Sequence, residues 1–181
     1  ELSNISENLS LIAVQGPKAV ELLQNYTDLN LSAIKFYHFQ KGNFAGYNDI
    51  IISATGYTGS GGFELYVPNS YAEEIWDLIF SSGSKYNVLP TGLAARDTLR
   101  LEMGYCLYGN DINDQTCPIS AGLSWVTKFN KEFIGKEIIQ NHKLQGTQNK
   151  LVAFELLERG IPRKDYEITN ADGKLIGKVT S

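Results

Sequence analysis

Apolar residues recur along this chain at two periods, near two residues in some stretches and near 3.6 in others, which predicts a mixture of strands and helices. Residues 9–14 (LSLIAV) read as a buried strand, closed by the Gly16–Pro17 turn. Ala19, Leu22, Leu23 and Tyr26 then recur at helical spacing and predict a short amphipathic helix. Residues 49–55 (DIIISAT) are rich in β-branched side chains and predict a second strand. Beyond GYTGSGG the pattern alternates strictly. Phe63, Leu65 and Val67 face one side, with Glu64 and Tyr66 on the other. The two runs predict a hairpin with a long, glycine-rich connection.

Ser70 and Glu73 have the spacing of a capping box, ahead of a helix with Ala72, Ile75, Trp76 and Ile79 on its apolar stripe and Gly83 at its end. A further helix is expected over residues 92–103, with Thr91 as N-cap. Residues 131–142 (KEFIGKEIIQNH) predict a short amphipathic helix, and from Lys150 the runs LVAFELL, DYEIT and LIGKVTS predict strands, the last two joined by a turn at residues 170–173. The fold class expected is α+β: a ferredoxin-like split β-α-β layer followed by the start of an antiparallel β-barrel domain. The expected organisation is a partial ferredoxin-like region over residues 1–112, a connecting segment with a short helix over 113–149, and an incomplete β domain over 150–181.

Composition narrows the function classes. The 181 residues are 43% hydrophobic and 20% charged, an ordinary globular balance. The net charge of −4 and pI near 5.2 argue against a nucleic-acid binder, and no apolar run is long enough to span a membrane. The opening residues carry neither the basic nor the apolar region of a signal peptide. Cys106 and Cys117 fit no metal-ligand or disulfide pattern, so buried, inert thiols in a reducing compartment are expected.

The residues able to do chemistry are few. In residues 56–64 (GYTGSGGFE) four glycines allow a ligand close to the backbone, and no helix follows at P-loop or dinucleotide spacing. The same glycines equally suit a tight hairpin with nothing bound. Glu64, beside Tyr66 and near Tyr57, is either a solvated strand carboxylate or an acceptor for paired N–H donors on a flat heterocycle. Arg96 falls on one helix face with Gly92, Ala95, Leu99 and Met103; a charge in apolar surroundings is either paired internally or held for an anionic ligand. Arg100 sits further round and reads as the structural ion-pair residue. Asp111 and Asp114 lack the oxygen donors of an EF-hand, and His38 and His142 read as surface residues. No metal site and no nucleophile elbow is expected.

Three stretches resemble one family closely. GYTGSGGFELYVP (56–68) resembles its GYTG-x-x-GFE hairpin, GLAARDTLRLEMGYCLYGNDI (92–112) its GL-x-ARD-x-LRLE-x-G segment with the LYG-x-D that follows, and PISAGLSWVTKF (118–129) with FIGK (133–136) its P-x-x-AGL-x-W region. ENLSLIAVQGPKA (7–19) also fits. The family is aminomethyltransferase, the T-protein of the glycine cleavage system. The resemblance implies a bacterial cytoplasmic enzyme, with any mitochondrial transit peptide lying upstream of this chain. It would pass the carbon of an aminomethyl group on the lipoyl arm of H-protein to tetrahydrofolate, with release of ammonia. It also implies folate contacts at Tyr57, Glu64, Arg96 and Trp125. Glu64 would meet the donor edge of the pterin, Arg96 an anionic or polar part of the folate, and Tyr57 and Trp125 its rings. No catalytic residue is expected within the chain, because the family's essential aspartate maps upstream of it and a folate-binding arginine downstream. This piece alone would then be inactive. Ser60–Gly61, where many members carry an acidic residue, departs from the pattern. The alternatives implied are the folate domain of a dimethylglycine- or sarcosine-oxidising enzyme, and a folate-binding iron–sulfur assembly protein; the K-G-C-Y-x-G-Q-E signature of the latter is absent.

Overall fold

The computed structural model describes residues 2–181, and the chain divides into two compact units at the Met103–Gly104 boundary. In the first unit, strand β1 (Leu9–Gln15) leads into helix α1 (Ala19–Leu23). Then come β2 (Phe39–Phe44), β3 (Tyr47–Ser53), β4 (Gly62–Pro68), α2 (Ala72–Gly83) and α3 (Leu93–Glu102). The four strands form one sheet in the order β1-β4-β3-β2, every pairing antiparallel. β1 and β3 both oppose β4, which lies between them, so they run parallel to each other. That is the split arrangement, and the α+β expectation holds.

Alternation along β4 decides which face of the sheet is buried. Phe63, Leu65 and Val67 are buried, while Gly62, Glu64, Tyr66 and Pro68 are only half-buried. Ile12 of β1, Ile50 and Ile52 of β3 and Phe44 of β2 join them. Leu22 and Leu23 of α1 and Ile75 and Ile79 of α2 close over that face to make the core. The register aligns two rows on the opposite face: Leu11–Tyr66–Ile51–Lys41, and Ala13–Glu64–Ser53–Phe39. Leu11, Ala13, Phe39 and Lys41 are exposed there. Because β1 is an edge strand with one open face, only its Ile12 is buried, and the reading of residues 9–14 as a wholly buried strand is corrected.

Several element ends differ from expectation. β2 escaped the sequence reading: its centre, Gln40 to Asn43, is polar on both faces, as an edge strand tolerates, and only Phe44 is buried. A 3₁₀ turn over Asn69–Tyr71 delays α2 until Ala72. Ser70 therefore cannot cap it, and no side chain does; Trp76 lies 45% exposed against Phe80, outside the buried stripe. Helix α3 is capped at Gly92 without a side-chain bond, because the Thr91 hydroxyl turns back to the Leu89 carbonyl.

In the second unit, Gly135 in a left-handed conformation starts helix α4 (Lys136–Gln145), later than expected. Strands β5 (Glu167–Thr169) and β6 (Leu175–Lys178) pair antiparallel around a turn closed by Gly173 N–H to the Asn170 carbonyl. LVAFELL forms no strand: its Leu151 N–H bonds to the Ser120 carbonyl, but no ladder with another strand follows among the described residues, and Val152 is exposed and Leu157 fully so. The LYGND turn is tied to the unit through Asp111, whose carboxylate accepts the Leu107 N–H at 2.8 Å and the Thr180 hydroxyl at 2.5 Å. Among the described residues no helix is long and apolar enough to cross a membrane.

The face assignment is checked by paired truncations. Leu65→Ala removes a fully buried side chain and should cost about 2–5 kcal/mol in a denaturant melt, whereas Leu11→Ala on the open face should cost less than about 1 kcal/mol. Equal losses would mean that the faces are misassigned. A second pair separates the two arginines of α3. Arg100 is 1% exposed and donates to Asp97 Oδ1 through Nε at 2.8 Å and Nη2 at 2.5 Å, whereas Arg96 is exposed. Arg100→Ala should lose about 2–5 kcal/mol and Arg96→Ala less than about 1 kcal/mol in the same melt.

Candidate functional site

The loop between β3 and β4 is built by crowding rather than by looseness. The Gln15 carboxamide, at the end of β1, donates through Nε2 to the carbonyls of Thr55 and Phe63, both at 3.1 Å. Its Oε1 accepts from the Thr58 hydroxyl at 3.3 Å, and the next residue, Gly16, donates its N–H to the Gly61 carbonyl at 2.9 Å. One amide side chain thus ties the end of β3, the start of β4 and the loop together. A Cβ at position 56 would collide with that carboxamide. At Gly62, with φ +128°, a Cβ would run into the Val14 carbonyl. These two glycines are demanded by close approach.

Tyr57 and Arg96, from different elements, meet. The Arg96 guanidinium lies over the Tyr57 ring with its Cζ 4.8 Å from the centroid, within cation–π range. Gly59 of the same loop sits against Met103, just past α3, so loop and helix are packed together. The expectation that Arg96 is surrounded by apolar side chains is corrected. It is exposed and makes no salt bridge among the described residues; the charge taken inside the helix is that of Arg100, paired with Asp97. Arg100 is the one buried residue of α3.

Glu64 stands on the open face of β4, half-buried, between Ala13 and Ser53 in register. Its Oε2 accepts the Thr55 hydroxyl, and Oε1 makes no hydrogen bond among the described residues. The Tyr66 phenol, two residues on along the same face, is raised above its usual pKa by partial burial and then by the nearby Glu64 charge. A carboxylate oriented by a hydroxyl, with one oxygen open, can accept hydrogen bonds from a ligand. A guanidinium on an aromatic ring can meet an anion or stack.

Trp125 belongs to the second unit, where its side chain is 63% exposed and its carbonyl accepts from Lys128 Nζ at 2.6 Å. Its folate contact stands on the resemblance. Both cysteines are half-buried rather than enclosed, a second correction. A third concerns His142, which is half-buried with Nδ1 3.1 Å from Cys117 Sγ. That pairing joins residues from separate segments, so sequence spacing held no sign of it. The sequence reading also passed over Gln15, although it stands in the quoted QGP run, and Thr55.

Comparison with known proteins agrees with the motifs. Residues 1–131 match the family model described as the GCVT N-terminal domain. The chain is 56% identical over 181 residues to an aminomethyltransferase of Flavobacterium psychrophilum, covering 100% of this chain and 50% of that protein. It is 56% identical over 183 residues to an aminomethyltransferase of Bacteroides thetaiotaomicron, covering 51% of it. It also superposes on the crystal structure of glycine cleavage system aminomethyltransferase T from Bartonella henselae with a TM-score of 0.82 and 32% identity, over 96% of this chain and 47% of that one. The chain spans about half the length of the curated relatives it matches. From the motifs, the family match and the shared fold together, the chain belongs to the GCVT aminomethyltransferase family.

Proposed function

We propose that the protein is a glycine cleavage aminomethyltransferase and that this chain supplies part of its tetrahydrofolate site. In the reaction, the bond between the lipoyl sulfur and the aminomethyl carbon breaks. The carbon becomes the methylene bridge of methylenetetrahydrofolate, nitrogen leaves as ammonia, and the lipoyl arm of H-protein is left as the dithiol. The observation that carries the reading is the Arg96 guanidinium of α3 over Tyr57, on the loop that leads into Glu64, in a chain 56% identical over 181 residues to a named aminomethyltransferase.

The chemistry of the co-substrate suits these groups. A pterin carries adjacent N–H donors on one edge, and an ionised carboxylate accepts them with charge assistance. Its rings are flat and its glutamate tail is anionic. An aromatic ring and an exposed guanidinium with no carboxylate partner among the described residues answer to those two features. The residues named bind and orient the co-substrate. Bacterial relatives fit a cytoplasmic enzyme acting with a lipoylated carrier protein.

The test is a calorimetric titration of the full-length protein with tetrahydrofolate. Glu64→Ala and Arg96→Ala should each weaken binding about tenfold to a hundredfold, the scale of a hydrogen bond to a charged group, without lowering the melting temperature by more than a few degrees. Unchanged affinity in both variants would remove the site assignment.

A further inference from the structure

We propose that Thr55 is the positioning residue for Glu64, the last member of a hydroxyl relay that fixes which carboxylate oxygen faces the ligand. The proposal rests on the reading of Glu64 as a folate-binding carboxylate. Three hydrogen-bonding groups lie in sequence here. The Ser53 and Thr55 hydroxyls are 3.0 Å apart, and the Thr55 hydroxyl also meets Glu64 Oε2. A threonine hydroxyl has one proton, and an ionised carboxylate can only accept. The Thr55 proton is therefore committed to Glu64, and Ser53 must donate to the Thr55 oxygen. The direction of both bonds follows from that count alone. Successive hydroxyl donors polarise one another, so the last bond, onto the charge, is strengthened by the first.

The relay is anchored at both ends. Ser53 is the register partner of Glu64 across β3 and β4. The Thr55 main chain is pinned through its carbonyl by Gln15 Nε2 at 3.1 Å, and the same amide holds the Phe63 carbonyl immediately before Glu64. The hydroxyl and the carboxylate it addresses are thus fixed by one side chain from a third strand. A glutamate on an open sheet face otherwise samples several rotamers, and ordering it upon binding would reduce affinity. With Oε2 occupied, that cost is met in folding, and Oε1 is left directed away from the relay. Thr55 touches no ligand in this scheme; it acts through Glu64.

A double-mutant cycle in the full-length protein, read by tetrahydrofolate titration, tests this. Thr55→Val keeps the shape and removes the donor, and should weaken binding about threefold to tenfold. Thr55→Ser restores a hydroxyl and should bring affinity back to the wild-type value. In the Glu64→Ala background, Thr55→Val should cost nothing further, because the group it acts through is gone. An equal loss in both backgrounds would overturn the proposal, since Thr55 would then act through the fold. So would wild-type affinity in Thr55→Val alongside a weakened Glu64→Ala; that outcome leaves the folate site standing. If Glu64→Ala itself binds normally, the site reading fails and the relay falls with it. Should Thr55→Val not fold, Ser53→Ala replaces it in the cycle. A smaller loss that vanishes with Glu64→Ala supports the relay, and no loss, or an undiminished one, refutes it.

Discussion

Strand β4 is hydrogen-bonded on both sides, to β1 and to β3, and everything else in the first unit depends on that double pairing. A strand paired on both edges cannot slide by one residue without reversing every side chain it carries. The register that buries Phe63, Leu65 and Val67 under α1 and α2 is therefore the same register that lifts Glu64 and Tyr66 onto the opposite face. Core and candidate site are two sides of one constraint. The hydrophobic burial that holds the unit together also places the carboxylate on the open face, where the Thr55 hydroxyl meets it.

The end of the sheet adds a second level of control. Gln15 comes from β1, yet its amide is spent on the carbonyls that bracket the loop between β3 and β4. Three strands are thereby held at one point, and the loop leaves with its course determined. The packing of Gly59 against Met103 and of the Tyr57 ring under Arg96 brings α3 to that loop. The glycine-rich stretch, read in sequence as a long hairpin connection, is a crowded junction.

What could be read from sequence was whatever depends on a single segment's periodicity. The β4 alternation, the core stripe through Ile75 and Ile79, and the family motifs were legible because each is written in consecutive residues. The strand β2 was not, since an edge strand with polar residues on both faces has no period to read. The roles of the two arginines were only half-legible. Helix geometry named Arg100 as the ion-pair residue, but placed Arg96 among apolar neighbours, because which flank of α3 faces inward is decided by the rest of the unit. The capping signals at Ser70 and Thr91 failed for a local reason: a 3₁₀ turn in one case and a backward-turned hydroxyl in the other moved the helix start past the capping side chain. The contacts that organise the candidate site, from Gln15 to Thr55 and Phe63 and from Arg96 to Tyr57, join segments 39 to 48 positions apart, a distance over which no local pattern carries information.

Helix α3 has a further property that follows from its inventory of enclosed groups. Most amphipathic helices are held in azimuth by a broad greasy stripe, which tolerates small rotations because one methyl can replace another. This helix instead encloses one guanidinium, that of Arg100, which also pairs with Asp97 in its own turn. That ion pair turns with the helix, so what opposes a roll about the helix axis is the enclosure of the Arg100 side chain itself. Arg96, four residues earlier and exposed, turns with the same helix, so its bearing over the Tyr57 ring is tied to a neighbour that never reaches the surface.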